Sequence, residues 1–110
     1  MPWFIKTEKF NSKINNLTAE KRRQYLQDHR SWIMSLRKLG TKVSSGYLVN
    51  EHRLPGGGGL LFLQAKSYND AQHLIKKDPM TMADLVTWEL QEWIPVEGDL
   101  SNILNVDAFP

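Results

Sequence analysis

His29 is the residue of this chain best placed to do chemistry. It lies on an apolar face of a predicted helix, one turn after Tyr25 and one turn before Trp32. An imidazole in that position must find a polar partner or lose its hydration at a cost. Asp78, next to Pro79 at the end of a second predicted helix, is the candidate partner, and a His–Asp pair holds one ring tautomer ready for proton transfer. The pair can equally be a structural contact, and both interpretations stay open.

Few other residues predict a reaction centre. Arg30, Ser45 and Tyr47 are candidates for lining a pocket, and Arg30 for binding an anionic group. His52 falls in a predicted loop and His73 on a helix, neither with ligands at metal spacing. The chain has no cysteine, which excludes a disulfide framework, a Cys-ligated metal and a thiol nucleophile. We therefore expect no metal and no cofactor.

The glycine run Gly56–Gly59 suggests a phosphate-binding loop at first sight. It lacks the Lys-Ser/Thr ending of a P-loop and the spaced glycines of a dinucleotide fingerprint, and a strand follows it instead of a helix. We predict a flexible hairpin loop that can border a pocket. Met80 and Met82 are predicted to fill the core.

Hydrophobic periodicity predicts six elements in the order β-α-β-β-α-β. Residues 3–10 alternate, with Trp3, Ile5 and Thr7 on one side and Phe4, Lys6, Glu8 and Phe10 on the other. The remaining predicted elements are a helix from the N-cap Thr18 to Gly40, strands over 43–50 and 60–63, a helix from Ser67 to Asp78, a helical turn over 80–85 and a strand over 86–96. Residues 11–17 read as a loop.

This order predicts an α+β, ferredoxin-like fold, with an antiparallel sheet and both helices on one face. A chain of 110 residues supports one core, which we assign to residues 1–96, with a C-terminal tail over 97–110. Apolar side chains are predicted on both faces of the sheet, so a monomer would expose one apolar face. A homodimer that packs the sheets face to face is expected.

Charge is distributed unevenly along the chain. Residues 21–42 hold seven Lys or Arg and one acid, whereas residues 84–110 hold six acids and no Lys or Arg. The basic helix can bind phosphates, or it can be a solvated face that complements the acidic part. The net charge is only +2, and the strand around Phe62 lacks the aromatic pattern of RNA-recognition modules, so no nucleic-acid partner is expected. No apolar run is long enough to span a membrane and no signal peptide is recognisable, so a cytoplasmic location is expected.

Three short motifs resemble the YCII-related (YciI-like) family. They are Asp28-His29-Arg30-Ser31-Trp32 with Leu36 and Gly40, then Ser45-Gly46, then Lys77-Asp78-Pro79-Met80. Their order and spacing agree with the family over about residues 3–96. The resemblance implies a dimeric α+β barrel in which His29 and Asp78 form the pair in an active-site cleft. One relative removes chloride from a chlorinated hydroxyquinol, and relatives often have Gly-Pro where this chain has Gly46-Tyr47.

The residues and the resemblance together predict a small-molecule lyase or hydrolase. His29 would act as general acid or base and Asp78 would orient it, while Arg30, Ser45 and Tyr47 would contact an unidentified small-molecule ligand. The alternative is a non-enzymatic, dimeric small-molecule-binding or interaction domain in which the pair is structural.

Overall fold

The secondary structure follows the predicted β-α-β-β-α-β order, including the helical turn before the last strand, with one short helix added after the first strand. The computed structural model describes residues 1–100, so the last ten residues of the predicted tail lie outside it. Its elements are β1 (Trp3–Phe10), a 3₁₀ helix (Ser12–Asn16), α1 (Ala19–Lys38), β2 (Val43–Val49), β3 (Pro55–Gln64), α2 (Tyr68–Ile75), α3 (Pro79–Met82) and β4 (Val86–Trp93). The 3₁₀ helix replaces the predicted loop over 11–17.

The four strands form one antiparallel sheet in the order β2-β3-β1-β4. In β1, Phe4 pairs with Leu63 of β3, and Lys6 pairs with Leu61 of β3 and Leu90 of β4. Side chains alternate between the faces of a strand, so these residues all lie on one face. The predicted ferredoxin-like fold class is confirmed.

Both long helices cover that same face and form the main core. Leu36 of α1 and Ala71 and Ile75 of α2 pack with the sheet residues Phe4, Val43, Leu61, Leu63 and Leu90. A smaller cluster joins α3 to the N-terminal half of α1, through Met80, Leu85 and Val86 with Ile14, Leu17 and Tyr25 beside them. Within residues 1–100, no helix combines the length and the apolar character needed to cross a bilayer.

Side-chain caps begin the helices where the sequence predicts, but α2 ends at Ile75 and not at the predicted Asp78, which is extended because it precedes Pro79. The Thr18 hydroxyl accepts a hydrogen bond from the Lys21 N–H at 3.1 Å, and Gly40 adopts φ +90° just after the last turn of α1. The predicted apolar stripe ends one turn early, because the chain turns back at its C-cap, Leu39, which is 83% exposed. Met80 is buried but Met82 is 71% exposed, since residues two apart on a single helical turn point to opposite sides.

The predicted glycine loop is wrong, because all four glycines belong to β3. At Gly58, φ is +93°, and an added Cβ would lie 2.1 Å from the Glu8 carbonyl oxygen. Only glycine therefore fits at this position, where the backbone of β3 lies very close to that of β1. The true turn is shorter, and the Asn50 side chain closes it by accepting hydrogen bonds from His52 and Leu54. Glycine has no side chain to alternate, and the strand pattern is therefore invisible in the sequence.

Candidate functional site

His29 lies between a buried carboxylate and an exposed hydroxyl that come from two other elements. Its Nδ1 is 3.0 Å from Asp78 Oδ1, and its Nε2 is 3.0 Å from Ser45 Oγ. An ionised carboxylate only accepts hydrogen bonds, so Nδ1 carries the hydrogen that Asp78 accepts. In the neutral ring, Nε2 is therefore the lone-pair acceptor, and it faces Ser45.

Asp78 is held from several directions. Its side chain has no exposed area and caps α3, with Oδ1 accepting the Met80 N–H at 3.1 Å. Burial raises the pKa of Asp78, but the hydrogen bond and positive charge of His29, the charge of Lys6 and the Met80 N–H outweigh it. The net result is a pKa below its ordinary value of 3.8. Asp78 is consequently ionised at neutral pH and can orient the imidazole.

Lys6 forms an ion pair with Asp78, and the sequence analysis did not identify it as part of the site. Its side chain is 1% exposed, and its ammonium group donates to Asp78 Oδ2 at 3.2 Å, to Glu8 Oε2 at 2.9 Å and to Thr81 Oγ1 at 3.4 Å. The charges therefore alternate from Glu8 through Lys6 to Asp78, whose other oxygen contacts the His29 ring. One signal was available in the sequence, because Lys6 shares one side of the predicted strand with the aromatic residues Phe4 and Phe10.

A cavity of about 540 Å³ opens beside the ring of His29. Three predicted pocket residues line it, Arg30, Ser45 and Tyr47, whereas Asp78 lies behind His29. Besides these three and His29, the residues that line the cavity are Glu8, Phe10, Ile33, Met34, Gly46, Gly58, Gly59 and Val86. The cavity thus combines an apolar wall with a small number of polar groups, which is typical of small-molecule sites. Gly58 and Gly59 of the glycine run border the cavity as predicted, but they do so as part of β3 and not as a loop.

Metal ligands are scarce around this cavity. In the part of the chain that the structure describes, no three His, Asp or Glu side chains lie close enough to hold a metal ion together. The cavity residues that could contact a ligand through hydrogen bonds or charge are Glu8, His29, Arg30, Ser45 and Tyr47. The His29–Asp78 pair in this arrangement can transfer a proton at Nε2.

The depressed pKa of Asp78 predicts a specific acid sensitivity. A carboxyl whose pKa is lower in the folded than in the unfolded chain stabilises the fold above its unfolded pKa and loses that contribution as the pH falls through the folded pKa. We expect the free energy of unfolding, measured by urea titration with Trp fluorescence, to fall from about pH 5 to pH 3. Asp78→Asn should flatten this decline, whereas Asp70→Asn, an exposed carboxyl on α2, should keep it. Equal slopes in all three proteins would contradict the prediction.

The fold and the site define a small α+β protein of ferredoxin-like fold with a Ser–His–Asp cluster at the wall of a cavity. No family model matches the chain, and no curated protein matches it. Among solved structures, it is similar to 5-chloro-2-hydroxyhydroquinone dehydrochlorinase from Burkholderia phenoliruptrix AC1100, in complex with 2,5-dihydroxybenzoquinone. The TM-score is 0.62 at 17% identity, over 84% of this chain and 93% of that one.

A second similar structure is the de novo designed protein Ferredog-Diesel. Its TM-score is 0.53 at 9% identity, over 83% of this chain and 84% of the designed one. One neighbour is a natural enzyme and the other a designed protein, so at these identities the likeness establishes the fold alone. Function must be argued from the site.

Proposed function

We propose that the chain is a YCII-related small-molecule lyase in which His29 transfers a proton to and from the substrate. The observation that carries this proposal is the orientation of the ring. A fully buried carboxylate holds Nδ1, and Nε2 stands at the wall of a 540 Å³ cavity. A general base needs a fixed tautomer whose lone pair is on the side of the substrate site.

The charges around His29 suit the uptake of a proton. With a neutral ring, Glu8, Lys6 and Asp78 sum to one negative charge. A proton on Nε2 makes the ring a cation beside Asp78, 3.0 Å from its carboxylate, so the charge formed during proton abstraction is balanced within the site. The leaving group then departs as an anion from the neighbouring carbon, and the imidazolium gives its proton to that leaving group, so that the ring becomes neutral again.

The cavity favours an aromatic or quinonoid substrate with an acidic hydroxyl group. Phe10, Ile33 and Val86 supply apolar walls, and Arg30 can bind an oxyanion through its guanidinium group. The fold neighbour binds 2,5-dihydroxybenzoquinone. The hydroxyls of this compound are vinylogous carboxylic acids, and the anions that they form can pair with the guanidinium group of Arg30.

The test of this proposal is titration of the ¹⁵N-labelled chain with 2,5-dihydroxybenzoquinone by NMR. We expect shifts at the backbone amides of Arg30, Ser45 and Gly46. Arg30→Met should weaken binding about 10- to 100-fold, because a charge-assisted hydrogen bond contributes about 1.5 to 3 kcal/mol. Arg37→Met, on the same helix but outside the cavity wall, is the matched control. Shifts confined to the opposite sheet face would contradict the proposal.

A second candidate is a non-enzymatic homodimer in which the pair is structural. The observation that favours dimerisation is the sheet face without helices, where Ile5, Leu60, Phe62 and Trp93 are half-buried. The rings of Phe62 and Trp93 lie 5.5 Å apart there, and Ile5 pairs with Phe62 across the strands. A face-to-face dimer would remove this apolar surface from water. The cytoplasmic location and the boundary of the tail at residue 97 remain predictions for either candidate.

Dimerisation is tested by placing a charge on that sheet face. We expect the native chain to sediment as a dimer and Phe62→Asp to shift it to a monomer, because a buried unpaired carboxylate is costly at an interface. Leu39→Asp is the control, since Leu39 is 83% exposed at the end of α1. A native monomer at micromolar concentration, or a Phe62→Asp dimer, would contradict this arrangement.

A further inference from the structure

Ser45, His29 and Asp78 meet in the arrangement of a hydrolytic triad. The Ser45 hydroxyl is 3.0 Å from Nε2, and Asp78 is 3.0 Å from Nδ1, so each ring nitrogen has the partner that it has in serine hydrolases. We propose that Ser45 is a nucleophile and that the chain cleaves small, apolar esters at this site. This activity goes beyond proton transfer to a lyase substrate, although it rests on the same His29–Asp78 pair acting as base.

The position of Ser45 suits attack on a ligand. It lies on β2, at the edge of the sheet, is exposed and lines the cavity. The neighbouring Ser44 has its side chain on the opposite face of the same strand, away from His29. Only one of the two adjacent serines can therefore give its proton to Nε2.

The rest of the cavity supplies the other requirements of acyl transfer. Phe10, Ile33 and Val86 can hold the apolar part of an ester. Among the described residues that line the cavity, Arg30 is the only Lys or Arg, and we assign it to the oxyanion of the tetrahedral intermediate. Lys6 and the Met80 N–H keep Asp78 ionised and fixed behind the ring. Asp78 therefore stabilises the imidazolium that forms when Ser45 loses its proton.

The steps balance without any further reactant except water. Ser45 Oγ bonds to the ester carbonyl carbon while its proton passes to His29 Nε2. The C–O bond to the alcohol breaks, and the alcohol leaves with that proton. Water then attacks the acyl carbon and gives a proton to Nε2, the bond from Oγ to the acyl group breaks, and Oγ recovers the proton as the carboxylic acid departs.

The test is reaction of the purified full chain with a fluorophosphonate, followed by peptide mass spectrometry. We expect one adduct, located on Ser45, and no adduct there in Ser45→Ala. His29→Asn and Asp78→Asn should each slow labelling by about a hundredfold or more, because they remove the base or its tautomer. Ser44→Ala is the matched control and should label as fast as the native chain.

Two outcomes overturn the proposal: no adduct on Ser45, or an adduct whose rate does not depend on His29. Failure of the lyase proposal is measured separately, by 2,5-dihydroxybenzoquinone binding to the native chain. Binding without an adduct overturns only the nucleophile. An adduct without binding supports the nucleophile and contradicts the lyase.

Discussion

Replacing Asp78 by alanine is expected to lower the free energy of unfolding by about 3 to 5 kcal/mol, because it removes one of the two carboxylates that pair with the buried Lys6. Lys6 is 1% exposed and would keep only Glu8 as a counter-ion. The same substitution removes the acceptor for the Met80 N–H that begins α3 and for the His29 ring. Urea unfolding followed by Trp fluorescence measures the loss.

A double-mutant cycle separates the ion pair from the other contacts of Asp78. In Lys6→Met with Asp78→Ala, the buried charge is gone and an apolar side chain takes its place. We expect the double variant to be more stable than Asp78→Ala alone, since an apolar replacement of a whole buried pair is commonly well tolerated. Asp70→Ala, at an exposed position of α2, should cost about 0.5 kcal/mol or less. A loss below about 1 kcal/mol for Asp78→Ala would show that the ion pair is not a structural support of the fold.

Under the proposed lyase function, His29→Asn is expected to reduce turnover by about 10²- to 10⁴-fold, the usual contribution of general acid–base catalysis. Chloride release from 5-chloro-2-hydroxyhydroquinone, the compound named for the fold neighbour, is the assay. An asparagine amide N–H can take the place of Nδ1–H toward Asp78, so the fold should be retained. The variant nevertheless lacks a base at the position of Nε2.

The matched control is His73→Asn, because His73 is exposed on α2 and does not line the cavity. Its turnover should equal that of the native chain, and thermal unfolding should show that both variants are folded. Equal chloride release by His29→Asn and the native chain would contradict the role of His29. If no ring compound is turned over and His29→Asn mainly lowers stability, the binding-domain alternative is favoured.

The N-termini of the two longer helices were predictable because their signals are local. Thr18 and Ser67 cap α1 and α2 through hydrogen bonds to backbone groups three residues away, which any reading of the chain can find. Strand β1 was predictable to the residue from its alternation. The glycines of β3 could not be recognised in this way, since they were placed by the close approach of another strand at Glu8.

The sequence by itself determined the order of the elements, the fold class and the candidate pair His29 and Asp78. Only the tertiary structure decided that Ser45 faces Nε2 and that Lys6 neutralises Asp78 from a position 72 residues away in the chain. The physical reason is the range of each interaction. Caps and periodicity act within a few residues, whereas a buried charge is matched by whichever group the strand register and helix packing bring to it.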